Sequence, residues 1–141
     1  MADSAPAVRL VSTEAPDLPT STWTNGIRIG NELVLSGMTA YPAARDAALD
    51  TYGQTLVVLG KIKSLVEAAG GSINNICRLV VYVTDIADKE AVGRARREFF
   101  ASVGAFPCST LVEVSKLVFP ELTVEIDGFA RLDFDLGALG A

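Results

Sequence analysis

Cys108, Ser109, Thr110, Trp23 and Glu125 are the side chains whose types could do chemistry on a small molecule, and a missing residue type bounds what that chemistry is. The chain contains no histidine. That removes the usual general base at neutral pH, every Ser-His or Cys-His nucleophile pair and any His-based zinc site, and most hydrolase mechanisms go with them. Cys108 has two readings: an inert buried thiol at the start of a strand, or a pocket nucleophile whose thiolate needs an Arg, a Lys or a helix N-terminus to lower its pKa. Ser109 and Thr110 are strand hydroxyls or ligand contacts. Trp23 is able to stack on a planar molecule, or to anchor a core or an interface. In the segment around Glu125, Leu122, Val124, Ile126 and Gly128 share one strand face. Glu125 therefore projects from the other face with Thr123 and Asp127, and by residue type alone it is a solvated strand carboxylate.

The elements that must position these residues are legible from periodicity. Residues 1–22 carry Pro6, Pro16 and Pro19 among small and polar residues and read as a loosely held arm with one strand at Val8–Val11. Ile27-Arg28-Ile29, the turn dipeptide Gly30-Asn31 and Leu33-Val34-Leu35 predict a hairpin, closed by Ser36-Gly37. From Thr51 to Ala69 the apolar residues recur at helical spacing, with Thr51 and Gln54 forming a capping box and Gly70-Gly71 ending the helix. Ile76 to Thr84 is apolar on both faces and reads as a central strand, which makes Cys77 a core residue. Asp85 and Asp88 then serve as turn and cap. Lys89 to Val103 is an amphipathic helix with Val92, Ala95, Phe99 and Val103 on one stripe. Thr110–Leu117 and Leu122–Leu132 are two closing strands joined near Pro120. The class is α+β, a mixed sheet of five or six strands with two helices on one face. The other face, with Val80, Tyr82, Val112 and Val114, needs a partner, so self-association is the physical expectation.

With 141 residues, half of them apolar and a mean hydropathy of +0.35, the chain is long enough for one ordered domain with its own core. The net charge of −5 opposes binding to nucleic acid or to an anionic membrane. Cys77 and Cys108 show neither a metal-knuckle nor a disulfide spacing. No signal-like or membrane-length apolar run occurs, and a cytoplasmic location is expected.

Five segments in order, Gly30 to Gly37 (GNELVLSG), Glu67 to Asp88 (EAAGGSINNICRLVVYVTDIAD), Arg97 to Phe100 (REFF), Phe106 to Val114 (FPCSTLVEV) and Pro120 to Ala130 (PELTVEIDGFA), resemble the Rid/YjgF family. The resemblance spans residues 23–132, leaving 133–141 as a tail. It implies a chorismate-mutase-like fold assembled as a homotrimer, with cofactor-free, metal-free clefts between subunits that hydrolyse reactive enamines and imines such as 2-aminoacrylate. In that family an arginine in a Pro-x-Arg-Ser segment grips the substrate carboxylate through a two-pronged contact. Here the segment reads Phe106-Pro107-Cys108-Ser109-Thr110, with Ser109 at the arginine's place and Cys108 beside it. The carboxylate clamp is missing, and the pocket reads as drier and less charged. Trp23 stands where the family has a tyrosine, Met38 where it has a glutamine after Ser36-Gly37, and Gly93 where it has an asparagine. Glu125 matches the family's water-handling glutamate.

The sequence thus points to a Rid-like trimer binding a small planar molecule, with Glu125 and Cys108 as candidate catalytic residues and Trp23, Ser36, Gly37, Met38, Ser109 and Thr110 as candidate ligand contacts. Activity would be cofactor-free hydrolysis or deamination of an imine, enamine or amide, with weak turnover of 2-aminoacrylate-type acids. Backbone N–H groups near Gly37 and along Cys108–Ser109 would stabilise developing negative charge. The alternative is a non-catalytic binding or regulatory trimer, which the missing clamp favours. Ribonuclease activity, a third possibility, is opposed by the absent histidine and the negative charge.

Overall fold

Alternating burial along each strand organises the computed structural model, which describes residues 6–140. Expectations for residues 1–5 and 141 lie outside the described residues. Six strands form one sheet in the order β1-β2-β3-β6-β4-β5: β1 (Ala7–Leu10), β2 (Gly26–Ile29), β3 (Glu32–Leu35), β4 (Ile76–Val83), β5 (Cys108–Glu113) and β6 (Val124–Arg131). All neighbours are antiparallel except β4 and β5, which run parallel. A parallel pair needs a crossover, and α3 (Lys89–Phe99) supplies it. The long α2 (Thr51–Ala68) packs beside α3 on the same face of the sheet, and α1 (Ala43–Asp46) is a single turn ahead of it. Leu33, Leu79, Val81, Val124 and Ile126 from the strands meet Val58, Leu59, Ile62 and Leu65 from α2 in a fully buried core. The opposite face of the sheet has no helix, and Ile27, Ile29, Val34 and Val112 stand exposed there.

Several local expectations change for identifiable reasons. The strand expected at Val8–Val11 forms as β1, but residues 6–22 are not a loose arm: β1 adds to the edge of the sheet, and Leu10 and Ala15 are only 3% and 4% exposed. The Thr51–Gln54 capping box does not form. Asp50 caps α2 by accepting from the Gly53 N–H, which leaves Gln54 free to bond Leu49 O, Glu121 O and the Thr123 N–H in the interior. Asp85 accepts from the Ala87 N–H as expected of a turn residue, whereas Asp88 accepts from the Thr51 hydroxyl instead of capping α3. Helix α3 stops at Phe99, short of Val103, and residues 100–104 form turns that end at Gly104 with φ +76°. Cys77 is not core. The ladder skips from Ile76 to Arg78, so Cys77 occupies a bulge, half exposed, with its thiol donating to Phe129 O at 3.4 Å. After β6, Leu136 anchors the last turn in the core at 0% exposure, so the tail from residue 133 is tied down as far as described.

Candidate active site at two faces of one sheet

Glu125 and Asp127, two positions apart on β6, project from the helix-free face, as the alternation of that strand requires. The Glu125 carboxylate lies over Gly37. A Cβ built at Gly37 would fall within 2.4 Å of Glu125 Oε2 and 3.0 Å of Asp127 Oδ1. Only a residue without a side chain leaves that space, and the bridge between Met38 and Ile126 fixes the approach through two backbone bonds of 2.8 and 3.0 Å. Burial, followed by the neighbouring Asp127 charge, raises the Glu125 pKa above its ordinary value. Asp127 is held in turn by the Tyr82 hydroxyl, which donates to Oδ2 at 2.9 Å. A half-buried carboxylate with a raised proton affinity is suited to take and return a proton.

Gly37 and Met38 also line a cavity of about 530 Å³ between the N-terminal segment and α2. Trp23, 57% exposed, stands in its wall with the indole N–H donating to Asn25 Oδ1 at 3.1 Å. Ser36 does not present its hydroxyl to the cavity: the group is taken up by Thr24 O at 2.6 Å and ties the strand end to the segment that carries Trp23. Lys61, which sequence reasoning missed, lines the same cavity. Its ammonium donates to Thr39 O and Tyr41 O at 2.7 and 3.0 Å, and burial lowers its pKa. Its one signal is its place one helical turn after Val57, another lining residue.

The remaining sequence candidates fall on β5, where the sheet separates them. Paired positions share a face, so Thr110 lies with Val80, and Val112 with Tyr82 and Glu125, on the helix-free side. Cys108 belongs to that side as well, opposite Arg78, and it is exposed, which sets aside the buried inert thiol. The Thr110 hydroxyl accepts from the Arg78 guanidinium at 2.9 Å. Ser109 pairs with buried Leu79 and points the other way, toward α3. There the Arg96 guanidinium donates to its hydroxyl at 2.6 Å. Arg96, Arg97, Gly93, Phe106, Pro107 and Ser109 line a second, open cavity of about 290 Å³. The pocket that reads from sequence as drier and less charged therefore holds a guanidinium at Ser109, delivered from the helix. Within one chain, Ser109 and Glu125 are on opposite faces of the sheet and belong to different half-sites. Among the described residues, no group of three or more His, Cys, Asp and Glu side chains could hold a metal ion.

Comparison with known proteins decides the kinship. The family model described as Endoribonuclease L-PSP matches residues 13–132. The chain belongs to this family, the Rid/YjgF superfamily. Its match starts ten residues before the domain start expected at residue 23, in keeping with the ordered N-terminal segment. Among curated Rid relatives, the 2-iminobutanoate/2-iminopropanoate deaminase of Escherichia coli K12 is 28% identical over 124 residues, covering 86% of this chain and 96% of that protein. A RutC family protein of Pyrococcus horikoshii is 29% identical, covering 86% and 95%. Among solved structures, a protein of unknown function from Pseudomonas aeruginosa is 59% identical with a TM-score of 0.92, covering 94% of this chain and 97% of that one. The Escherichia coli YjgF gene product is 26% identical with a TM-score of 0.75, covering 88% and 98%. The chorismate-mutase-like α+β class inferred from sequence is the fold of this family. No helix among the described residues is long and apolar enough to cross a membrane.

Proposed function

We propose that this Rid-family chain forms a homotrimer whose intersubunit clefts bind a small planar imine or enamine and hydrolyse it without a cofactor. The arrangement of Glu125 over Gly37 carries this reading: a half-buried carboxylate of raised proton affinity lies against a glycine that also lines the cavity walled by Trp23. Water adds to the carbon of the C=N bond, Glu125 taking its proton. Glu125 returns that proton to the nitrogen, the hydroxyl proton of the tetrahedral carbon follows by the same carboxylate as the C–N bond breaks, and the nitrogen leaves as ammonia while a carbonyl compound remains. An enamine first takes a proton on carbon to become the imine. The Gly37 N–H, between neighbours that donate to Asn25 O and Ile126 O, would stabilise the negative charge that develops. Assembly follows from the exposed Ile27, Ile29, Val34 and Val112, which a monomer would leave in water. The name of the Escherichia coli relative supports the reaction class. The absent histidine and the net charge of −5 keep RNA out of this reading and fit a cytoplasmic enzyme of small-molecule chemistry.

A second reading, a binding or regulatory trimer without turnover, draws on Ser109 standing where the family has its arginine. Screening small imines, cyclic enamines and amides with wild type and Glu125→Gln separates the two. An enzyme releases ammonia in the wild type and loses that release in the variant, whereas a binding module keeps its ligand in both and turns over in neither. Turnover that survives Glu125→Gln would move the role to Cys108.

A further inference from the structure

Arg96 is a charge without a counter-charge. It is half-buried on α3, it lies beside Arg97, and neither forms an ion pair among the described residues. Burial and the Arg97 charge both pull its pKa down, and no carboxylate acts to raise it. Helices ordinarily settle such a group by pairing it with a Glu a turn away or by letting it reach water. Here its one side-chain partner is the Ser109 hydroxyl at 2.6 Å, which accepts a single N–H of the five a guanidinium carries. Gly93, one turn earlier on the helix, leaves the space beside it open, and the cavity of about 290 Å³ fills that space. Phe106 and Pro107 supply apolar walls. A half-buried guanidinium fork, oriented by a hydroxyl and facing a small cavity with apolar sides, has the form of a receptor for a planar anion on a short hydrocarbon body.

We propose that Arg96, delivered from α3 and oriented by Ser109, grips the carboxylate of the ligand, so that this chain acts on small carboxylate-bearing imines without an arginine on β5. The inference rests on reading the intersubunit cleft as a substrate site. It gives Ser109 a positive role: an arginine at that position would compete with Arg96 for the same space, while a serine is short enough to admit it and polar enough to aim it. It also reverses what Ser109 alone implies, that acid substrates are poorly held. Arg97 contributes field without contact, since its charge adjoins the same cavity.

The test is a titration of the full-length protein, followed by NMR, with sodium 2-oxobutanoate, the hydrolysis product of 2-iminobutanoate, and with 2-butanone, which has the same carbon skeleton and no carboxylate. The wild type is expected to bind 2-oxobutanoate, and Arg96→Met to weaken it by about tenfold or more, as loss of charge-assisted hydrogen bonds implies. The response to 2-butanone should be equally weak in both. Adding Ser109→Arg to the Arg96→Met chain should restore binding of the acid, because a guanidinium returns to the same spot from the strand. Should Arg96→Met unfold, Arg96→Lys reads the same contact, with an expected loss of a few-fold from exchanging a fork for a point charge. Undiminished 2-oxobutanoate binding in the Arg96 variants overturns the clamp and leaves the cleft standing as a ligand site. Binding of neither compound by the wild type overturns both.

Discussion

Replacing Gly37 by alanine isolates the proposed chemistry from the stability of the fold. The new Cβ would stand 2.4 Å from Glu125 Oε2 and 3.0 Å from both Glu125 Cδ and Asp127 Oδ1. Ordinary contact for such atoms begins near ~3.4 Å, so the Glu125 carboxylate must retreat by about 1 Å. A displacement of that size in a catalytic group costs on the order of a hundredfold in rate, or roughly 2.7 kcal/mol of transition-state stabilisation. The fold should lose little. The atoms that must move end a half-exposed side chain, and Gly37 is not among the glycines with positive φ. The substitution even restricts the unfolded chain, a contribution of about 0.4 to 1 kcal/mol in favour of folding. Ammonia release from an imino acid generated in the assay, read beside a melting curve, separates the two effects. A Gly37→Ala protein that melts normally and turns over within a few-fold of wild type would refute the placement of Glu125 as the water-handling group.

Glu125→Gln should abolish turnover and raise the melting temperature at pH 7. The folded protein holds Glu125 above its unfolded pKa, so its stabilising contribution is present below that unfolded value and is lost as pH rises through the folded one. The gain in the variant should therefore vanish in acid, and melting curves across pH check the sign. The acid limb of the rate profile should lie above the usual glutamate range, and Tyr82→Phe, which removes the hydroxyl held by Asp127, should shift that limb with little change in melting temperature. Gln54→Leu should cost about 2 to 3 kcal/mol in denaturant titrations, because Leu49 O, Glu121 O and the Thr123 N–H lose their partners inside the protein.

Alternation and helical spacing were enough to place β1 to β4, β6, α2 and α3, because the regular periods survive in the residue order, whereas β5, expected at Thr110–Leu117, runs from Cys108 to Glu113. The same rule put Glu125 and Asp127 on the helix-free face, where the structure has them. What one chain read linearly does not carry is contact between elements. The bulge that moves Cys77 out of the core depends on how β4 pairs with β6. Gln54 abandons the local cap because Glu121 and Thr123, far along the chain, offer it buried partners. Asp50 then supplies the cap one residue earlier, a choice that local pattern leaves open. Arg96 and Lys61 were hidden for the same reason. On a helical wheel Arg96 stands at the edge of the Val92–Phe99–Val103 stripe and Lys61 one turn from Val57, and only the packing of β5 against α3, or of the Thr39–Tyr41 turn against α2, shows that each faces a cavity. Ser109 was legible as a missing arginine, and the guanidinium that replaces it was not.

Mixing subunits tests the central claim, one site completed by two copies, most directly. Arg96 and Glu125 lie on opposite faces of the sheet, so a cleft that uses both must take them from different chains. At subsaturating concentrations of a carboxylate-bearing imine, the Glu125→Gln homotrimer should be inactive and the Arg96→Met homotrimer should keep about a tenth of the wild-type rate or less. When the two are unfolded together and reassembled in equal amounts, a site is intact wherever Arg96 comes from one variant and Glu125 from the other. Random assembly of a closed ring then restores about a quarter of the wild-type activity. Recovery near that fraction is the expected result. Activity no greater than the two variants show separately, from mixed trimers verified by mass, would contradict a site shared between subunits.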